Sequence, residues 1–143
     1  MVIQRQFGGG ATFVLLVVLV VAGCSGRKGL ERVVVSGRIH YQGQALETGN
    51  IQFTPIKGTS GPVSGAVIRE GQYRADGRGG VPVGTHRVEI TAYRVPPGVD
   101  LDKLDPDEYR REPIVPARYN VNSKLEFTVE SGQRSVTKDF ELQ

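Results

Sequence analysis

The chain has no tryptophan, one cysteine, one methionine and two histidines among its 143 residues. Each scarcity removes a class of answer. A lone cysteine cannot close a disulfide within its own chain, so the fold must hold without one. Two histidines and a single cysteine make no zinc site unless carboxylates join them. Without tryptophan, the usual stacking platform for sugars is missing. No apolar run reaches the roughly 17–25 residues that a membrane-crossing helix needs. The longest, Ala11 to Ala22, has 12 residues and includes Thr12. Nor is there a charge excess of one sign: 18 Lys and Arg face 15 Asp and Glu, too even for a surface that grips a phosphate backbone. Nucleophile-elbow, phosphate-cradling glycine and paired-histidine helix motifs are absent as well. A multidomain enzyme, a channel and a nucleic-acid-binding module are thereby excluded, and one small domain is left.

The first stretch present has the layout of a secretory signal: a polar start carrying Arg5, the short apolar run, then small residues. It ends in Val21-Ala22-Gly23-Cys24. This tail resembles the bacterial lipobox, in which Val21, Ala22 and Gly23 would form the peptidase recognition site. Small residues suit that position because the peptidase closes around backbone next to a lipid-modified sulfur. The resemblance implies a diacylglyceryl thioether on Cys24, cleavage before it and an acylated new N-terminus. The covalent lipid would be the only attached group, since nothing else in the sequence implies a cofactor or a metal. Two or more acyl chains give stable anchoring where one does not. Residues 1–23 then read as a lipoprotein signal peptide, 24–30 as a short lipidated tether and 31–143 as the domain. Arg27 and Lys28 would lie beside lipid headgroups or simply be solvated in the linker. Ser25 stands where some envelope-sorting systems place an aspartate to retain a protein at the inner membrane. Its identity points to the outer membrane, with the domain in the cell envelope.

Beyond Cys24 the chain holds 14 Val and 6 Ile but only 6 Leu, with 15 Gly and 8 Pro. Branched side chains favour strands, and frequent Gly and Pro cut them short. Period-two alternation is plain. Val33, Val35, Ile39 and Tyr41 oppose Ser36, Arg38 and His40; Ile51 and Phe53 repeat the pattern. Val88, Ile90 and Ala92 alternate with Arg87, Glu89 and Thr91, and Leu125, Phe127 and Val129 with Glu126 and Thr128. Val136, Phe140 and Leu142 close the chain, with Lys138 at an apolar position that suggests a bulge or slipped register. Turn signals stand between these runs at Gln42-Gly43, Glu70-Gly71, Pro82-Val83-Gly84 and Ser131-Gly132. Strands apolar on one side only require two packed layers, so the pattern predicts an all-β sandwich of six or seven strands.

The stretch Val95–Arg118 departs from this, being rich in proline and without alternation. Its acidic residues Asp100, Asp102, Asp105, Asp107, Glu108 and Glu112 do not fall at the spacing of a calcium loop. Helix capping accounts for them better. Asp105 caps, Pro106 takes the first helical position, Glu108 completes a capping box, and Glu112-Pro113 stops the helix. Within and beside this loop, Tyr93, Tyr109, Arg110, Arg111 and Tyr119 form a candidate interaction surface, because tyrosine brings apolar area and a hydroxyl on few rotatable bonds. Tyr119 can equally plug the end of the sandwich.

In order along the chain stand Val35-Ser36-Gly37-Arg38-Ile39, Gly49-Asn50-Ile51-Gln52-Phe53, Gly71-Gln72-Tyr73-Arg74, Val81-Pro82-Val83-Gly84, Pro116-Ala117-Arg118-Tyr119-Asn120 and Asp139-Phe140-Glu141-Leu142. Their succession resembles the small bacterial lipoproteins whose exported part is a transthyretin-like, carboxypeptidase regulatory-like domain. That resemblance implies a Greek-key β-sandwich of about seven strands, no catalysis, and a structural or protein-interaction role in the cell envelope. Its partners would be the membrane, through the lipid, and an envelope protein or polysaccharide. A carbohydrate-binding module of the envelope is the alternative. A small hydrolase is the distant one, because a branch of the transthyretin fold hydrolyses 5-hydroxyisourate. That branch ends in Tyr-Arg-Gly-Ser, whereas this chain ends in Phe140-Glu141-Leu142-Gln143. Of the two histidines, His40 has outward parity and no acidic partner evident in the sequence. His86 has inward parity at a strand's start, where a partly exposed imidazole is expected.

Overall fold

The computed structural model describes residues 29–94 and 112–143. The signal segment, Cys24 and the centre of the proline-rich stretch, including Tyr109, Arg110, Arg111 and the expected helix over 105–111, lie outside the described residues.

The domain is all-β. Its strands are β1 (Arg32–Tyr41), β2 (Gln44–Ala45), β3 (Thr48–Pro55), β4 (Ser64–Arg69), β5 (Gln72–Ala75), β6 (Val81–Pro82), β7 (Gly84–Thr91), β8 (Tyr93–Arg94), β9 (Glu112–Pro113), β10 (Leu125–Val129), β11 (Ser135–Thr137) and β12 (Phe140–Leu142). Short 3-10 turns occupy Gly77–Gly79 and Ala117–Tyr119. No helix among the described residues is long and apolar enough to cross a membrane.

Hydrogen bonding runs without a break in the order β10-β7-β3-β4-β5-β1-β11, with β12, β2 and β6 also pairing β1. The opposed inward faces expected from one-sided alternation therefore belong to a single, mostly antiparallel sheet that curls on itself. The curl brings the ends of the path together, since the Lys138 ammonium of the C-terminal segment lies 6.0 Å from the ring of Phe127 on β10 and 5.5 Å from that of Phe140. The enclosed core is the set the alternation names. Val33, Val35, Ile39, Phe53, Val88 and Ile90 are wholly buried, and Ile51 and Leu142 nearly so. At its centre Phe53 meets Tyr73 at 6.2 Å between ring centroids and His86 at 6.5 Å edge-on, while Tyr73 reaches Phe140 at 6.2 Å.

The turns fall where expected. Between β4 and β5, Glu70 and Gly71 both take positive φ (49° and 73°), the two-residue hairpin turn whose twist matches its strands. Gly71 supplies that backbone without strain.

Three expectations are corrected. The interruption at Lys138 is not a slipped register: Ser36 pairs Thr137 and Ile39 pairs Phe140, the same offset on both sides. Lys138 keeps inward parity because its ammonium rests over two aromatic faces at the rim of the core, a cation–π placement that tolerates a charge there. The stretch Val95–Arg118 is not wholly a loop. Glu112–Pro113 forms a strand with Tyr93–Arg94 rather than a helix stop, Val115 is buried, and Ala117–Tyr119 is a 3-10 turn. His86 is wholly buried rather than partly exposed.

The fold has two distinct ends. β1 begins at Arg32 beside Val81–Pro82. It finishes at Tyr41, where a shallow pocket is lined jointly by Tyr41, Gln42, Arg94 and Pro113. The β8–β9 ladder thus stands at the end away from the start of the domain.

Candidate functional site

The histidines come first because sequence singles them out for chemistry. His86 is held by β7 with its ring against Phe53. A carbonyl can only accept, so Nδ1 carries a proton and donates it to the Gly84 carbonyl at 3.1 Å. Nε2 is buried without a hydrogen-bond partner. Burial pushes the imidazole below its ordinary value, against a smaller upward pull from the Gly84 carbonyl. The unfolded chain therefore binds a proton more readily than the folded one. Stability should hold above about pH 6.5, the ordinary histidine value, and fall as pH drops from there towards the folded value. His86→Phe should flatten that fall. Urea midpoints taken across mildly acidic pH will test this, and equal slopes in both proteins would assign the acid sensitivity to other groups.

His40 does have an acidic neighbour. β12 runs alongside β1 with Glu141 opposite His40, which sets Nδ1 2.8 Å from Oε1 of Glu141. The pair is close but not aligned for a hydrogen bond. Sequence could not pair residues so far apart in the chain.

The candidate interaction residues divide. Tyr93 is 46% exposed on β8. Tyr119 is committed to the chain end: its hydroxyl accepts the Gln143 N–H at 2.9 Å and donates to the Gln143 carbonyl at 2.9 Å. The Arg118 guanidinium also donates to that carbonyl and lies 5.0 Å from the Tyr119 ring centroid. The Gln143 contact and then Arg118 hold this phenol below its usual range. Tyr73 shows the reverse. It is buried, donates to the Lys138 carbonyl at 2.7 Å, and is pushed well above the usual phenol value by burial, with Asp139 adding to the effect. Tyr109, Arg110, Arg111, Val21, Ala22, Gly23 and Cys24 lie outside the described residues.

Sequence reading missed the outer face of the sheet. Over β3 and β7 this face is self-satisfied: Glu89 accepts from Thr54 at 2.8 Å and from Arg87 at 3.1 Å, and Gln52 reaches it at 3.4 Å. Over β1, β5 and β4 it is open. Arg38 pairs across to Gln72, and Gln72 pairs across to Arg69, so the three side chains form one row over three strands. Ser36 and Arg74 form the next row. These residues, together with Glu70 and Asp139, line an open groove of about 820 Å³. Arg74 is paired with Asp76 at 2.9 Å. Arg38 and Arg69 have no carboxylate within ion-pair distance among the described residues. One oxygen of Asp139 is taken by the backbone N–H of Arg38 at 2.7 Å. The outward parity of Arg38 was visible in the sequence; the register that puts Arg69 two strands away was not. No group of three His, Cys, Asp or Glu side chains placed to hold a metal occurs among the described residues.

No family model and no curated protein matches this chain. Among solved structures, a 9R-lipoxygenase from Cyanothece PCC8801 is similar at 12% identity and a TM-score of 0.40, over 78% of this chain and 16% of the lipoxygenase chain. So faint a likeness, spanning so little of the larger protein, carries no argument about activity.

Proposed function

We propose that this chain is a non-catalytic, lipid-anchored protein of the cell envelope that serves as a structural or protein-interaction module. Residues 1–23 are its signal peptide, Cys24 carries the lipid, and the curled sheet is a transthyretin-like Greek-key sandwich of about seven strands. The observation that carries the reading is the polarity of the fold. β1 starts at Arg32, eight residues after Cys24. The Tyr93–Arg94 and Glu112–Pro113 ladder stands at the other end of β1, a span of about 33 Å for ten residues of strand. A domain tethered at one end in this way presents the opposite end to the envelope. The complete burial of His86 in the core supports a non-catalytic role, because a substrate could not reach its imidazole.

Fractionation of cells fed labelled palmitate tests the anchor. The native chain should take up label and sediment with membranes, and Cys24→Ser should take up none and leave the lipidated fraction. Equal behaviour of the two overturns the reading. A photo-crosslinking residue in place of Tyr93 tests the interaction: one envelope protein captured in near-stoichiometric amount supports it, and a spread of unrelated proteins sets it aside.

The second reading, a carbohydrate-binding module, draws on a different surface, the open arginine groove of the outer face.

A further inference from the structure

We propose that the outer-face groove over β1, β5 and β4 binds an acidic polysaccharide of the uronate type, with Arg38 and Arg69 each taking a carboxylate and the groups between them taking sugar hydroxyls. The inference rests on the carbohydrate reading, names its site and ligand class, and does not require the lipid anchor.

Register supplies the first argument. Arg38 and Arg69 flank Gln72 in one cross-strand row, so their backbones stand about 9.5 Å apart, two strand spacings. That separation suits two anions along one polymer better than a single small anion. The second argument is that these guanidiniums are not consumed within the fold. Arg87 on the same face is tied to Glu89 and Arg74 to Asp76, whereas Arg38 and Arg69 have no such carboxylate among the described residues. A guanidinium is a planar fork of donors that fits a carboxylate with two parallel hydrogen bonds. The third argument is the mixture of signs. Glu70 and Asp139 line the same groove. They would repel a densely charged phosphate polymer, but they accept hydrogen bonds from hydroxyls, as does the Gln72 amide. A chain of sparse carboxylates among many hydroxyls satisfies both kinds of group at once. A lipid surface fits less well, because, of the apolar side chains lining the groove, Val67 is exposed while Tyr73 is buried in the core.

Titration of the full chain in detergent micelles with polygalacturonate tests this, with dextran as the neutral comparison. Saturable binding is expected at physiological salt with polygalacturonate and none with dextran. Loss of either guanidinium should weaken binding about tenfold. Arg38→Gln with Arg69→Gln should therefore weaken it about a hundredfold, past detection in this titration, while Arg134→Gln, in the turn before β11 and outside the groove lining, should leave it intact. Unchanged circular dichroism in the exposed-site variants excludes unfolding as the cause. Binding that survives the double substitution overturns the proposal, as does equal loss in Arg134→Gln, which would mean diffuse attraction. Equal binding of dextran overturns the acidic-groove assignment while leaving a carbohydrate role standing. No binding of either glycan overturns both. Anionic phosphatidylglycerol vesicles bound through the same two arginines, without glycan binding, would make the groove a membrane face and also overturn it.

Discussion

Phe53→Ala should lower the unfolding free energy by about 3–5 kcal/mol, the range for removing a wholly buried phenylalanine. The upper part of that range is expected. Phe53 stands between the rings of Tyr73 and His86, and ring pairs of this kind add about 0.5–1.5 kcal/mol beyond the area they bury. The cavity would open where β3, β5 and β7 face one another, and those backbones are locked by cross-strand ladders that resist collapse. A domain of this size has about 5–15 kcal/mol in total, so the variant would be marginal at body temperature. Phe53→Leu, which keeps most of the volume, should cost about 1.5 kcal/mol or less. Chemical denaturation of the two variants decides the matter. A loss below about 1 kcal/mol in Phe53→Ala would mean that the sheet closes over the gap, and that the core is less rigid than its ladders imply.

Gly37→Ala should cost about 3 kcal/mol or more, although it adds a single methyl group. The site is not special in its torsions. It is a point of close approach, at which a Cβ would lie 2.0 Å from the Lys138 carbonyl oxygen and 2.6 Å from its carbon. Backbone cannot rotate away as a side chain would, so the C-terminal segment must move. Three hydrogen bonds depend on its position: Lys138 N–H to the Ser36 carbonyl at 2.8 Å, Arg38 N–H to Asp139 at 2.7 Å and the Tyr73 hydroxyl to the Lys138 carbonyl at 2.7 Å. The Tyr73 hydroxyl is the costliest to strand, because it is buried. Hydrogen exchange should show the loss concentrated over 135–142, with β3 and β7 still protected. A uniform loss, or none, would show that the crowding at Gly37 does not govern that segment.

Both variants touch residues that the sequence marks differently. Phe53 announces itself, since it alternates with Gln52 and Thr54 and can only face inward. The same pattern names Val33, Val35, Ile39, Val88 and Ile90, because the strand period is a local property that needs no knowledge of partners. Gly37 is silent by comparison. Its reason lies about a hundred positions away, in the parallel run of the C-terminal segment along β1. Lys138 misleads for the same cause: a lysine at an apolar position reads as an irregularity until two rings are found beneath its ammonium. Burial of His86 follows from its parity, but its completeness does not, because that depends on how tightly the sheet curls. The groove was the least legible feature. Arg38, Gln72 and Arg69 belong to three strands, and only the pairing of Arg38 with Gln72 and of Gln72 with Arg69 turns separate outward residues into one surface. Local chemistry is written in sequence; adjacency across a ladder is not.

The parallel pairing of β1 with β11 and β12 has a mechanical meaning. The chain enters β1 at Arg32 and leaves β12 at Leu142, at opposite ends of one ladder. A pull between those points acts along the strands, across hydrogen bonds that are evenly spaced in a parallel pair. They would be loaded in shear, sharing the force, rather than peeled one after another as at a hairpin's open end. In a domain held by its N-terminal side, tension applied at the C-terminus therefore meets the strongest direction of the sheet.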